Sequence, residues 1–210
     1  GPGLGAARLG YFLGPLASRL PRAAVQYEIQ RALAEWSRHV KVDFEPAPQA
    51  AQPRTLAFMF GRWGHGDEYP FDGPGRVLAH TFYPAPPNPE TIAGDLHFDD
   101  DEPWGLGTGV DVYSVVLHEI GHALGLGHSD RPGTVMYPYY ARAFELSTDD
   151  IAAIRTLYAA RDATQPEEPS SPGNPGTPDD PGTRPDDPPR PPENPATPDP
   201  PPPGSDTTAP

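Results

Sequence analysis

The sequence predicts an α+β domain that is followed by a proline-rich tail. Three segments carry apolar residues at helical spacing, and four short apolar runs lie between turn residues. From residue 163 onwards the chain holds 18 of its 33 prolines and no Val, Ile, Leu, Met, Phe, Tyr or Trp. Such a stretch buries too little apolar surface to offset the entropy cost of folding. We therefore predict one folded domain over residues 1–162 and a disordered Pro/Asp-rich linker or tail over residues 163–210.

Turn and cap residues set the bounds of the predicted elements. The predicted helices span residues 22–38, 110–124 and 148–160. The first follows Pro21, the second ends at Gly125, and the third begins after a cap at Ser147 or Thr148. The predicted strands span residues 40–44, 55–60, 77–82 and 96–98. The loops between strands at 61–75 and 84–94 are too long for simple connectors, which indicates a functional role.

The composition excludes several classes of partner. The formal net charge is −14 and no basic cluster stands out, which argues against binding to nucleic acid or anionic lipid. The chain has no cysteine, so no disulfide can form. No apolar run approaches the ~20 residues needed to span a membrane. We expect a monomer without a membrane span.

The segment 118–128 reads His-Glu-Ile-Gly-His-Ala-Leu-Gly-Leu-Gly-His. His118 and His122 lie four residues apart, so on a helix they share a face and can bind one metal ion. Gly125 can turn the chain so that His128 supplies a third imidazole. Three nitrogen ligands leave a fourth position for water, which is typical of a catalytic zinc. Glu119 lies beside the metal rather than on it and is the predicted general base for the zinc-activated water.

A histidine-rich structural helix is the alternative interpretation of this segment. The pattern His-Glu-x-x-His alone can arise by chance on a buried helix. The extended form with Gly125 and His128 is far more restrictive, and it favours the catalytic interpretation.

The extended motif, followed by Ser129 and later by Met136, resembles the metzincin metalloproteases and, among them, the matrix metalloproteinases or matrixins. The resemblance covers nearly all of residues 8–158. It implies a metzincin-like catalytic domain with a twisted, mostly parallel five-stranded sheet and three helices. It also implies that Met136 forms the Met-turn beneath the zinc and that Asp149 and Asp150 support the floor of the site and the N-terminal segment. The pocket for the substrate side chain after the scissile bond would be lined by Pro138, Tyr139 and Tyr140.

Three further segments around His65, His80 and His97 resemble matrixin segments in the same order. Scattered histidines are more often surface or core residues, but the order of these segments favours a metal site. The resemblance implies a structural zinc held by His65, Asp67, His80 and His97. Four filled positions leave no room for water, so this zinc would stabilise the 61–75 loop rather than catalyse.

The same segments imply a calcium site. Its carboxylate and carbonyl ligands would come from Asp72, Gly73, Gly75, Val77, Asp99 and Glu102. The alternative is a solvated acidic surface. A second calcium site would use Asp95, but Thr55 stands where the family often has an aspartate, so we expect that site to be weak or lost.

The resemblance further implies how a substrate binds. An extended peptide would add as a strand beside residues 77–80 and pair near Leu78 and Ala79. Ser114 lies one helical turn before His118, where matrixins often have a larger residue. We expect a roomy pocket that prefers medium or large apolar side chains such as Leu.

Together these features predict a secreted zinc-dependent endopeptidase that hydrolyses peptide bonds of extracellular proteins. One rival is a binding module that holds metal without turnover, although Glu119 and the three histidines are intact. A second rival is a metal-dependent hydrolase of a non-peptide bond. We interpret the tail either as a linker towards another domain or the cell surface, or as a passive solubilising segment.

Overall fold

The computed structural model describes residues 5–161, so the predicted tail lies outside the described residues. The described part contains seven strands and three helices. In chain order they are β1 (Ala7–Leu13), α1 (Arg22–His39), β2 (Val42–Pro46), β3 (Thr55–Gly61), β4 (Ala79–Thr81), β5 (Leu96–Asp99), β6 (Trp104–Gly105), β7 (Val110–Asp111), α2 (Val112–Ala123) and α3 (Thr148–Ile154).

Five of these strands form one mixed sheet with the order β2-β1-β3-β5-β4. The pairs β1–β2, β1–β3 and β3–β5 are parallel, and only β4 runs antiparallel to its neighbour β5. The expected α+β fold with a mostly parallel five-stranded sheet is therefore confirmed. Strand β1 was not predicted from the local pattern. Its residues are nearly all half-buried, so burial does not alternate along the strand in the way that marks one open face.

The second helix is two residues shorter at its start than expected. Val110 and Asp111 pair with Trp104 and Gly105 as the parallel strands β6 and β7. The helix begins after Asp111, whose carboxylate accepts a hydrogen bond from the backbone N–H of Ser114.

The third helix ends at Ile154 rather than near residue 160. Ser147 and Asp150 form a capping box at its start, which confirms the serine alternative for the cap. Beyond the helix, Tyr158 forms a β-bridge with Gly5 and Ala160 forms one with Val40. These bridges require an extended chain, so they compete with further helical turns.

Helices α1 and α2 pack on each other and α2 also packs against β4 and β5, which places the core between helices and sheet. Trp36 of α1 is fully buried, and its indole N–H donates to the carbonyl oxygen of Leu117 in α2 at 3.0 Å. Gly121 permits this close approach, because a β-carbon there would lie 3.1 Å from the Trp36 ring and against the sulfur of Met136. None of the described helices is both long and apolar enough to cross a membrane.

Candidate active site

Three imidazoles converge at the end of α2. Residues His118 and His122 lie one turn apart on this helix, and Gly125, with φ +102°, turns the chain away after it. His128 then returns to the same point. The three Nε2 atoms are separated by 3.0 Å between 118 and 122, 3.2 Å between 122 and 128, and 3.3 Å between 118 and 128.

The hydrogen bonds of two rings fix which nitrogen carries the proton. Nδ1 of His118 lies 2.6 Å from the carbonyl oxygen of Val135, and Nδ1 of His122 lies 2.7 Å from that of Leu126. Because a carbonyl only accepts, both Nδ1 atoms must carry a proton, and the two Nε2 atoms face the shared point. Burial, reinforced by the neighbouring His122, lowers the pKa of His118 to about 3 and keeps this ring neutral.

A zinc ion fits these three nitrogens. With Zn–N bonds of about 2.0–2.1 Å, tetrahedral ligands lie about 3.3–3.4 Å apart, close to the separations observed here. Without a cation, lone pairs this close would repel each other. The donor set, three imidazoles of which two are oriented by backbone carbonyls, could hold a metal ion.

Glu119 is buried beside this centre. Its carboxylate accepts a hydrogen bond of 2.6 Å from the hydroxyl of Thr81 in the edge strand β4. Glu119 and Thr81 are only 6% and 4% exposed, so the hydrogen bond is shielded from water. Glu119 also lines a pocket together with His118. The glutamate therefore lines the same cavity as one ring of the histidine cluster.

The segment around the buried Met136, expected to form the floor of the site, contacts His118 through Val135. The carboxylate of Asp150 accepts hydrogen bonds from the backbone N–H groups of Val135 (2.8 Å) and Met136 (3.2 Å). Val135 in turn accepts from His118, so α3 is linked to a metal-site ring through two hydrogen bonds. Asp149 instead pairs with Arg131 at 2.9 Å on the surface. Of these two acidic residues, only Asp150 contacts the floor among the described residues.

The pocket beside Glu119 is bordered by most of the residues expected to bind substrate. It is lined by Leu78, Ser114, Pro138, Tyr139 and Tyr140, together with Val115, Thr134, Val135, Ala141 and Ala143. Ala79 lies outside it.

The expected small residue at the pocket wall carries hydrogen bonds of its own. The hydroxyl of Ser114 donates to Asp111 at 2.7 Å and accepts from the backbone N–H of Ala143 at 3.0 Å. The hydroxyl of Tyr140 accepts from the N–H of Asp111 and donates to the carbonyl oxygen of Gly109. These contacts connect the pocket wall at Tyr140 and Ala143 to the start of α2.

Strand β4 is the free edge of the sheet next to the pocket. The carbonyl oxygen of Leu78 and both backbone groups of Phe82 bond to the β5 side, through Asp99, Asp95 and Gly94. In an antiparallel strand, the backbone groups of alternate residues point to the same side. Those of Ala79 and Thr81 therefore point away from β5, towards the open edge, whereas the Leu78 carbonyl is already used.

A second cluster lies on the face of β4 opposite to the one from which Thr81 contacts Glu119. One carboxylate oxygen of Asp67 lies 3.0 Å from Nε2 of His65, 3.0 Å from Nε2 of His80 and 2.6 Å from Nδ1 of His97. Nδ1 of His65 faces the carbonyl oxygen of Trp63 at 2.8 Å and so must carry the proton. The buried Nε2 of His65 makes no hydrogen bond although it lies 3.0 Å from Asp67, and an unsatisfied buried nitrogen of this kind fits a metal ligand.

The protonation states of this cluster suit a cation. Burial lowers the pKa of His80, and burial together with the charge of His80 lowers the pKa of His97 to about 4. Burial alone would raise the pKa of Asp67, but its hydrogen bonds with His80, the Tyr69 N–H and His97 outweigh this effect and lower it. Neutral imidazoles around an ionised carboxylate are the forms that bind zinc.

Comparison with known proteins identifies the family. The family model described as Matrixin matches residues 5–159, about three-quarters of the chain. The chain belongs to the matrixin family.

Named relatives of this matrixin are similar over the same region. Matrilysin of Mus musculus is 42% identical over 158 residues, which cover 72% of this chain and 58% of the relative. Stromelysin-2 of Rattus norvegicus is 42% identical over 151 residues, covering 69% of this chain and 30% of the relative. Macrophage metalloelastase of Rattus norvegicus is 42% identical over 146 residues, covering 67% and 30%. The chain spans little more than half the length of the matrilysins that it matches.

The residues expected to bind calcium are only partly brought together in this matrixin. The N–H of Gly75 donates to Glu102 at 2.5 Å, and Asp99 is fully buried with one carboxylate oxygen that lacks a hydrogen-bond partner. Burial, and then repulsion from neighbouring carboxylates, raises the pKa of both Asp99 and Glu102. Asp72 is exposed and lies 3.9 Å from Arg76.

The two histidine clusters are tighter than this acidic set. Among the described residues, groups of three or more His, Cys, Asp or Glu whose donor atoms all lie within 4.8 Å of each other are the 118–122–128 set and the 65–67–80–97 set. The carboxylates of Asp72, Asp99 and Glu102 do not converge to that extent. The unpaired, buried Asp99 oxygen is the feature of this set that fits a cation.

The local sequence pattern did not single out two functional contacts. Asp111 organises Ser114 and Tyr140. It stands at the second position of the predicted helix, where an aspartate could have indicated a cap and a later helix start. Thr81 contacts Glu119 across 38 residues of sequence, and no local signal marks that pair.

Proposed function

We propose that this matrixin is a zinc-dependent endopeptidase that hydrolyses peptide bonds of extracellular proteins. The convergence of three imidazole Nε2 atoms within 3.0–3.3 Å, beside a buried glutamate and a pocket, carries this proposal. A zinc ion held by His118, His122 and His128 supplies Lewis acidity, which polarises a carbonyl group and acidifies water. The family membership and the metalloprotease relatives support the same conclusion.

Glu119 is the proposed general base. It takes a proton from the attacking water and delivers it to the departing amine. Glu119 follows His118 on the helix and is rotated about 100° from it around the helix axis, so its carboxylate would lie beside the metal without being a ligand. Its burial and its position in the pocket lining support this role.

The substrate is proposed to bind as an extra strand along the open edge of β4. Ala79 offers its N–H and C=O there, and Leu78 lines the pocket. The side chain after the scissile bond enters the pocket between Ser114 and residues 138–140. Because Ser114 is small and its hydroxyl is engaged by Asp111 and Ala143, apolar side chains such as Leu suit the space.

The second cluster is proposed to hold a structural zinc. His65, Asp67, His80 and His97 supply four donors, which fill a tetrahedral shell and leave no position for water. This ion would fix the 61–75 loop to β4 and β5, because His80 and His97 belong to those strands. Calcium is proposed to bind between Asp72, Asp99 and Glu102 with the carbonyls of Gly73, Gly75 and Val77, where it would neutralise the two buried carboxylates.

Secretion and a monomeric state belong to the same proposal. Matrixin relatives with names such as matrilysin and stromelysin support an extracellular place of action. Residues 163–210 are proposed as a linker or tail beyond the catalytic domain of 1–162.

A peptide library tests the proposed activity. The wild-type protein should cleave it with apolar residues enriched directly after the cleaved bond, and a hydroxamate chelator should stop cleavage. The Glu119→Ala variant should keep its zinc and its unfolding midpoint but lose about 10²–10⁴-fold in kcat, the usual contribution of a general base.

Glu45→Ala is the matched control, because Glu45 is exposed in β2 far along the sheet from the pocket. Equal hydrolysis by wild type and Glu119→Ala would refute the mechanism. A wild-type protein that binds zinc but leaves peptides intact would favour the binding-module rival, and charged residues dominating after the cleaved bond would refute the pocket assignment.

A further inference from the structure

Thr81 contacts the proposed general base directly. Its hydroxyl donates to Oε2 of Glu119 at 2.6 Å, and both side chains are buried. A hydrogen bond from a hydroxyl to a carboxylate at this distance is short and charge-assisted. Because water is excluded, no solvent molecule can replace the threonine without rearrangement.

The alternation of side chains along strand β4 determines the direction of this hydroxyl. Successive side chains of a strand point to opposite faces of the sheet. The side chain of His80 points to the face that carries Asp67 and His97, so Thr81 points to the other face, towards α2. The pairing of Thr81 with Leu96 in β5 fixes the register of the strand. The donor is thus held by the sheet and not by a mobile loop.

We propose that Thr81 is a positioning residue that orients the Glu119 carboxylate for proton transfer; this inference rests on the proposed function. With Oε2 held by Thr81, the carboxylate cannot rotate freely about its terminal bond, and Oε1 is the oxygen left to accept a proton. A carboxylate held in the productive orientation loses less freedom on reaching the transition state. Thr81 acts through Glu119 and does not itself contact the reacting atoms.

Steady-state kinetics of Thr81→Val test the inference, since valine keeps the β-branched shape and removes the hydroxyl. We expect kcat to fall about tenfold or more, the factor expected for losing one hydrogen bond to a charged group. KM should stay within about twofold, because the lost contact is not made to the substrate. Zinc content should match the wild type, and the thermal midpoint should fall by only a few degrees, because one buried hydrogen bond is lost. Thr81→Ser should restore kcat to within about threefold.

A double-mutant cycle separates positioning from a general effect on the sheet. In a Glu119→Ala background, Thr81→Val should have no further effect on residual kcat, because the carboxylate that its hydroxyl contacts is gone. Thr55→Val is the control, since it makes the same change at another buried threonine of the same sheet, in β3. Its kcat should equal that of the wild type.

The outcomes distinguish the two proposals. If the wild-type protein does not hydrolyse peptides, the proposed function fails. If the wild type hydrolyses them and Thr81→Val has an unchanged or higher kcat, only the role of Thr81 is overturned. Additive losses in the cycle, or a loss in Thr81→Ser equal to that in Thr81→Val, would also overturn it.

Discussion

Asp95 is a mostly buried carboxyl group at the start of β5, where one of its oxygens accepts from the N–H of Ala57 at 3.1 Å. Burial raises its pKa to about 7, and the hydrogen bond from Ala57 only partly opposes this shift. The native state therefore holds this proton more tightly than the unfolded chain, whose aspartates titrate near 3.8. The contribution of Asp95 to the free energy of unfolding is therefore fully present at low pH, and it is lost as the pH rises through about 7.

Asp95→Asn should remove this pH dependence, since the amide keeps an acceptor oxygen and carries no charge. We expect the difference in unfolding free energy, variant minus wild type, to be about 2 kcal/mol larger at pH 8 than at pH 5 in calcium-free buffer. Urea unfolding at both pH values measures it. Parallel pH profiles of the two proteins would contradict the shifted pKa, and a calcium-induced gain confined to the wild type would reveal a metal at Asp95.

Single residues differ in how far the sequence predicts their contacts. His118 and His122 could be paired because helical geometry alone sets their separation. Thr81 could not be paired with Glu119, because that contact depends on the packing of an edge strand against a helix. Asp149 and Asp150 look equivalent in the sequence, but only one of them points inwards.

Helix α3 contributes to the site through its cap. The carboxylate of Asp150 accepts from the N–H and hydroxyl of Ser147 at the start of the helix and from the N–H groups of Val135 and Met136. One side chain thus caps the start of a helix and holds the segment expected to form the floor of the site.

Asp150→Ala should destabilise the protein by about 3 kcal/mol, because it leaves buried N–H groups without an acceptor. It should also reduce zinc affinity, since the Val135 carbonyl that orients His118 is no longer fixed. Chemical unfolding and titration with a competing zinc indicator check both effects. Asp149→Ala removes only an exposed ion pair with Arg131 and should behave like the wild type. Equal effects of the two substitutions would contradict the distinction.

Element types were predicted better than element ends. Helix α1 was expected at 22–38 and spans Arg22–His39, because its apolar stripe and Pro21 are local signals. The end of α3 depends on bridges from Tyr158 and Ala160 to distant residues, which no local pattern reveals. The two-residue strands β6 and β7 were missed for the same reason, since they exist only through each other.

At the scale of the whole molecule, the two histidine clusters predict the metal content. The donor sets fit one zinc each, so the protein as purified should contain about two zinc ions per chain by metal analysis. Asp67→Ala removes the oxygen on which three imidazoles converge and should reduce the content to about one.

The Asp67→Ala variant should also unfold several degrees below the wild type, because zinc bound only to the native state stabilises it. Differential scanning calorimetry measures this loss. Glu68→Ala is the control, since Glu68 is the exposed neighbour in the same loop. Two zinc ions in Asp67→Ala, or an unchanged melting temperature, would contradict the assignment of this cluster.

The global topology followed from the family resemblance and not from local patterns. Four strands could be located from apolar runs, but the order β2-β1-β3-β5-β4 depends on long-range pairing. The place of the acidic 99–102 segment beneath the 73–75 loop is likewise a property of the folded chain.

Strand β4 carries a member of the second histidine cluster and the hydrogen-bond partner of Glu119 on consecutive residues, 80 and 81. A single peptide unit therefore separates His80, which is proposed to fix the 61–75 loop, from Thr81, which contacts the proposed general base. A disturbance that rotates this short strand, whether it begins at Asp67 or in the pocket, alters both faces at once. We therefore expect loss of the proposed structural zinc to change kcat before the chain unfolds.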